Sequence, residues 1–265
     1  MIPDHSENKI QQNSLNLLQK LGYKFIDRKE NLSLRNGNTK EVLLKEILLK
    51  KLDEINKFEY KGKIYKFSKQ NLQKAVDDLD ADLNEGLNIA NKTITNKLLF
   101  GESYEEILPD GTKRSFSLKY IDFENLENND FYATEEFIVS KIDQNSPIKN
   151  RRVDIVLFIN GIPIVAIELK NSCVSINNGI NQLIDEQKNG EIPHLYKFIQ
   201  LTIAGNSSDA KYATTGADKK FYSIWKEDVS KELESIVKNR NITNLDKLIF
   251  SLLKKERLLG IIENF

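Results

Sequence analysis

The sequence predicts an α/β (α+β) fold: a mixed β-sheet flanked by helices, with a helical insertion in the N-terminal half and further helices at the C-terminal end. Three observations predict it. Residues 151–170, RRVDIVLFINGIPIVAIELK, hold two apolar runs of strand length, rich in Val and Ile, around an Asn160-Gly161 turn signal. Both faces of that hairpin are apolar, Ile155, Leu157, Val165 and Ile167 on one and Val156, Phe158, Ile164 and Ala166 on the other, so layers must cover it on both sides. Segments of helical period stand before and after it in the chain.

In chain order, residues 6–21 read as a helix with Ser6 as N-cap, Glu7 in the first turn and Gly22 as the stop. Residues 23–26 form a short strand. Residues 41–56 give a second strong helix, and 68–79 and 83–99 two more, which together make the insertion of about 41–100. A hairpin is expected around Asp110-Gly111, between 105–108 and 113–119. Residues 115–122 and 131–141 read as strands, and with the central hairpin they build a sheet of about four or five. A helix follows at 178–189, broken by Pro193, then strands at 196–204 and 210–214, then helices at 227–238 and 245–264. The apolar end at 258–265 is expected to continue into a longer protein.

Composition narrows the function. The chain of 265 residues is 40% hydrophobic and 29% charged, ordinary for a globular protein. No apolar run approaches the ~20 residues of a spanning helix, so no membrane role is expected, and residues 1–20 are too polar for a signal peptide. A single cysteine, Cys173, forbids an internal disulfide and fits a reducing, cytoplasmic location. His5 and His194 are too few for a structural zinc site. Zero net charge argues against free, non-specific DNA binding. Any nucleic-acid contact must come from partner subunits or from local clusters. Lys149, Arg151 and Arg152 form one such cluster; they can hold phosphates, and a solvated strand entrance explains them equally well. There is no nucleotide-binding P-loop in these residues.

The chemistry lies in three charged residues at the ends of the apolar hairpin: Asp154, Glu168 and Lys170. Side chains alternate along a strand, so register decides whether they meet. A two-residue loop at Asn160-Gly161 pairs Ile159 with Ile162, sets Asp154 opposite Ile167 and sends the carboxylates to opposite faces. A three-residue loop, Ile159 to Gly161, pairs Phe158 with Ile162 and gathers all three charges on one face. The three-residue loop is therefore expected. Two carboxylates and a lysine so gathered suit metal-dependent phosphodiester hydrolysis: Asp154 and Glu168 hold Mg²⁺, and Lys170 positions or activates the attacking water.

Several stretches together resemble the N-terminal region of the restriction (R, HsdR) subunit of type I restriction–modification enzymes. They are SENKIQQNSLNLLQKLGYKFI, YIDFENLENNDFYATEEFIV, VDIVLFINGIPIVAIELKNS, GINQLIDEQ, IPHLYKFIQL, FYSIWK and LLKKERLLGIIENF. The resemblance implies a restriction-endonuclease-like, PD-(D/E)xK nuclease fold, in which the Asp matches Asp154 and the E-x-K matches Glu168 and Lys170. It further matches a first-helix glutamate to Glu7 and a helical glutamine to Gln182, both supporting the metal site or nearby phosphate. Val153 stands where the family pattern has proline, and Glu186 stands where many relatives carry the tyrosine of Q-x-x-x-Y. The implied partners are double-stranded DNA and the methylation and specificity subunits of the restriction complex. The expected division is a nuclease domain at 1–225 and a helical linker at 226–265 toward a motor region outside this chain, where ATP binding and translocation would reside.

Three functions follow from these readings. The first is a Mg²⁺-dependent DNA endonuclease domain. The second is a nuclease-like module that docks DNA or protein without cutting, against which the retained acid–acid–lysine set speaks, since buried charges are costly without a role. The third is a stand-alone repair or junction nuclease, which leaves the apolar C-terminal end unexplained.

Overall fold

The computed structural model describes residues 6–238 and 240–264; His5 and Phe265 lie outside the described residues. The elements run α1 (Glu7–Lys20), β1 (Lys24–Ile26), α2 (Arg28–Ser33), α3 (Lys45–Ile55), β2 (Lys57–Tyr60), β3 (Lys63–Lys66), α4 (Lys69–Asp78), α5 (Leu87–Phe100), β4 (Glu102–Ile107), β5 (Lys113–Leu118) and β6 (Phe131–Ser140). They continue with β7 (Asn150–Ile159), β8 (Ile162–Leu169), α6 (Ile176–Glu186), α7 (Pro193–Tyr196), β9 (Leu201–Gly205), β10 (Ala210–Thr214), α8 (Ser230–Ile236), α9 (Asn244–Leu252) and α10 (Lys255–Asn264).

Six strands form one mixed sheet in the order β1-β6-β7-β8-β9-β10. β1 runs parallel to β6 and β8 parallel to β9, and the other neighbours are antiparallel. The parallel β8–β9 step needs a crossover, which α6 and α7 supply. β7 and β8 lie at the centre, and every residue from Val153 to Leu169 is buried. This is the α/β, mixed-sheet architecture with flanking helices expected of a restriction-endonuclease-like fold.

The capping chemistry explains where α1 and α4 begin. The Ser6 and Ser68 hydroxyls accept from the backbone N–H groups of Lys9 and Asn71, satisfying donors that a helix start leaves free. α1 then lays Ile10, Leu15, Leu17 and Leu18 into the core. α1 packs on β6, β7 and β8, and α6 on β8 and β9. The C-terminal helices return to the fold: α9 packs on α1 and β10, and α10 on α5 and α9. The Tyr23 hydroxyl donates to the Leu253 carbonyl at 2.9 Å across that junction.

Several expectations need correction. The sheet has six strands, and residues 102–118 form a separate two-stranded hairpin, β4–β5, with no further strand to Asp122. The insertion is not wholly helical, because β2 and β3 form a hairpin there whose turn, Lys61-Gly62, has positive φ at both residues. α3 starts at Lys45, and Val42, Leu43 and Leu44 before it are buried but not helical. Residues 193–196 are helical, with Pro193 at its first turn where a missing N–H costs nothing, and the strand begins only at Leu201.

The expected three-residue β7–β8 loop is also wrong. Ile159 pairs with Ile162, leaving Asn160-Gly161 as a two-residue turn with φ of +55° and +87°, as a type I′ turn requires. The ladder then shifts: Phe158 pairs with Pro163 but Leu157 with Val165, so Ile164 is an extra, bulged residue. Pro163 has no N–H to give the ladder, and proline within a sheet sits at bulges or edges. The Ile164 carbonyl accepts instead from the Gln200 N–H at 2.8 Å. One added residue reverses the face of everything beyond it. Beyond the bulge Val156 faces Ala166 and Ile155 faces Ile167, so Asp154 and Glu168 share a face after all.

Candidate active site

Asp154 and Glu168 stand at the open end of the β7–β8 hairpin, away from the turn. Asp154 is 7% exposed, and its Oδ2 accepts from the Leu169 N–H at 2.7 Å. Burial raises its pKa to about 6; the Leu169 N–H and the Lys170 charge oppose the rise, and the Glu7 charge adds to it. Glu168 is 1% exposed, and burial, the Asp154 charge and the Glu186 charge push its carboxyl well above the usual range. Its Oε1 accepts from Lys170 Nζ, whereas Oε2 is buried without a hydrogen-bond partner among the described residues.

Lys170 connects the strand to α6. Its ammonium donates to Glu168 and, at 3.0 Å, to Gln182 Oε1. Burial works against the ammonium, but Glu168 and Asp154 outweigh it and its pKa is raised. Gln182 Nε2 donates to Glu186 Oε1 at 3.1 Å, and the Tyr196 hydroxyl donates to Glu186 Oε2 at 2.6 Å. Glu186 is fully buried, and burial raises its pKa against the pull of those two donors.

α1 supplies the opposite wall. Glu7, the first residue of the helix, lies close enough for its charge to act on both Asp154 and Lys170. Gln11, one turn later, donates through Nε2 to the Asp154 carbonyl at 2.8 Å and fixes the helix against β7. Four of the five predicted site residues, Asp154, Glu168, Lys170 and Gln182, are thus joined in one cluster, with Glu7 at its edge. Sequence reasoning missed Gln11 and Tyr196. Gln11 lies one helical turn beyond Glu7 on the same side, a spacing that could have marked it, whereas nothing in the sequence links Tyr196 to Glu186.

The basic cluster is placed less freely. Arg151 Nε meets Glu191 Oε2 at 2.6 Å, and Lys141 shares that carboxylate at 2.7 Å. Arg152 meets Glu136 at 3.2 Å, which Arg28 also holds at 2.9 Å. Lys149 is exposed and donates to the Gln144 carbonyl. Glu136 itself adopts φ +48° within β6, where register sets it opposite Asp154. Such a conformation is costly for a non-glycine residue and concentrates at functional sites.

Among the described residues no group of three or more His, Cys, Asp or Glu side chains gathers as a ready metal cage. A carboxylate pair with one orphaned buried oxygen nevertheless fits a hard dication. Mg²⁺ takes one or two carboxylates and completes its shell with water and substrate phosphate.

The family profile described as type I restriction enzyme R protein N terminus matches residues 4–221. The putative type I restriction enzyme MjaIXP endonuclease subunit of Methanocaldococcus jannaschii is 28% identical over 267 residues, covering 94% of this chain and 24% of that protein. The type I restriction enzyme HindI endonuclease subunit of Haemophilus influenzae is 27% identical over 270 residues, covering 98% and 24%. The EcoprrI endonuclease subunit of Escherichia coli is 26% identical over 145 residues, covering 53% and 44%. The chain spans about a quarter of the length of the first two. With the profile covering most of its length, the chain belongs to the family of type I restriction enzyme R protein N-termini.

Proposed function

We propose that this chain is a Mg²⁺-dependent endonuclease domain that hydrolyses DNA phosphodiester bonds in restriction of foreign DNA. The observation that carries the reading is the buried, same-face pair Asp154 and Glu168, with the Glu168 Oε2 orphaned and Lys170 alongside. Asp154 and Glu168 would hold the ion, which when bound supplies Lewis-acid polarisation of the scissile phosphate and acidifies water. Leu169 N–H orients Asp154 for that task, and Gln11 fixes the strand beneath it. Lys170, kept as an ammonium, donates toward the attacking water or a phosphate oxygen and offsets charge that builds in the transition state. Glu7 and Gln182 border the same space. Gln182 steadies Lys170, and Glu7 sits at a helix start, where a carboxylate is favoured.

The names of the relatives, endonuclease subunits of type I restriction enzymes, support a restriction role within a multisubunit enzyme; double-stranded DNA as substrate and methylation and specificity subunits as partners belong to this proposal. ATP-driven translocation would belong to motor domains of a longer subunit. No helix among the described residues is long and apolar enough to cross a membrane, and a cytoplasmic site of action fits the DNA substrate. The test is Mg²⁺ binding by calorimetry for the native chain and for Asp154→Ala. Binding that the substitution abolishes is expected; absence of binding, or binding indifferent to it, ends the catalytic reading.

A further inference from the structure

We infer that Glu186 and Tyr196 are positioning residues of this site, setting the sense of the Gln182 amide and through it the place of the Lys170 ammonium. The role rests on the hydrolytic reading of Asp154, Glu168 and Lys170. Four polar side chains form a directed chain: Tyr196 O–H to Glu186 Oε2 at 2.6 Å, Gln182 Nε2 to Glu186 Oε1 at 3.1 Å, and Lys170 Nζ to Gln182 Oε1 at 3.0 Å. A glutamine amide has a donor end and an acceptor end of nearly identical shape, so neighbours must choose its orientation. Glu186, which receives at both oxygens, accepts only from the NH₂ end. The carbonyl end is thereby turned to the ammonium, and the flipped amide would set NH₂ against NH₃⁺.

Tyr196 fixes the carboxylate in turn. It is fully buried in α7 and arrives from a segment ten residues beyond Glu186, which the Ile192 N–H ties back to the Glu186 carbonyl at 3.0 Å. A buried carboxylate is an expensive way to fill a core, and an apolar residue at 186 with Phe at 196 would pack as well. What the costly pair gains is orientation. Neither group reaches the reacting atoms: both act through Gln182 and Lys170, and Glu186 also bears on Glu168 through its charge, an effect that Tyr196→Phe leaves in place.

The experiment compares Tyr196→Phe and Glu186→Gln with the native chain by two readouts. The first is hydrogen exchange of the Lys170 ammonium, followed by its ¹H–¹⁵N resonance and assigned with Lys170→Arg. The second is Mg²⁺-dependent cleavage of duplex DNA. Each variant is expected to speed ammonium exchange and lower kcat about tenfold with KM for DNA unchanged, the loss of roughly one hydrogen bond to a charged group. Tyr120→Phe is the control, because it deletes an equally buried hydroxyl, one that donates to the Ala75 carbonyl at 2.8 Å, away from this chain of bonds. It should cost stability and change neither readout. Lys170 exchange unaltered in both variants overturns the inference, whatever the cleavage rate. Altered exchange in the variants, with a native chain that does not bind Mg²⁺, would sink the hydrolytic reading while the ordering of Lys170 stands.

Discussion

Asp154 shows what a buried carboxylate costs the protein that carries it. Its pKa rises from 3.8 to about 6 because burial outweighs the Leu169 N–H and Lys170. Between those values the native chain keeps a proton that the unfolded chain has released, so stability falls as pH rises from about 4 to about 6 and stays lowered above. A shift of this size corresponds to about 3 kcal/mol at most. Asp154→Asn keeps an acceptor for Leu169 and removes the charge. Urea unfolding without divalent ions should therefore find the variant about 1–3 kcal/mol more stable at pH 8, with the difference vanishing near pH 4. A variant no more stable at pH 8 would mean that Asp154 is better solvated than its 7% exposure implies. Mg²⁺ should reverse the ranking, since by mass action it stabilises only the chain that binds it.

At the scale of elements, the hairpin turn holds the sheet to the insertion. Asn160 is fully buried, exchanges hydrogen bonds with Asp130 and donates to the Tyr120 carbonyl and Asn129 Oδ1, while the Gly161 carbonyl accepts from the Leu44 N–H at 2.9 Å just before α3. A Cβ on Gly161 would lie 2.7 Å from the Leu44 carbonyl oxygen and 3.0 Å from the Leu48 nitrogen, at φ +87°. Gly161→Ala should thus cost more than the ~1 kcal/mol of the backbone term alone, read as a lowered urea midpoint, with Mg²⁺ affinity retained because the site lies at the other end of the strands. An unchanged midpoint would show that this turn is free to shift. The same hairpin marks what could be read from sequence. Alternation and apolar runs identified β7, β8 and the three charges. They could not show that the register is corrected by a bulge at Ile164 rather than by the turn, because Asn160-Gly161 serves either loop and Pro163 only weakens the ladder. Short elements such as α2 and the β2–β3 hairpin escaped for another reason: their stability comes from packing against distant residues, as when Asn31 of α2 donates to Thr134 of β6 at 2.7 Å.

For the whole molecule, the question is how a chain of zero net charge would meet a polyanion. Proteins that bind DNA non-specifically do so by displacing counterions with free cations, and their affinities fall steeply with salt. Here four cations in and around the basic cluster are already committed: Glu191 holds Arg151 and Lys141, and Glu136 holds Arg152 and Arg28. The chain alone should therefore bind duplex DNA weakly, with Kd above ~10 µM near physiological salt and a shallow salt dependence. On the proposed function, affinity would then be the work of partner subunits, which would keep the proposed centre from acting on DNA they have not delivered. Glu191→Gln tests this directly, because it frees Arg151 and Lys141 without touching Asp154, Glu168 or Lys170. Fluorescence anisotropy should show tighter binding and a log–log salt slope steeper by about 1–2, the signature of one or two added phosphate contacts. If neither changes, Arg151 does not face the DNA, and the cluster of Lys149, Arg151 and Arg152 serves only to brace the entrance of β7.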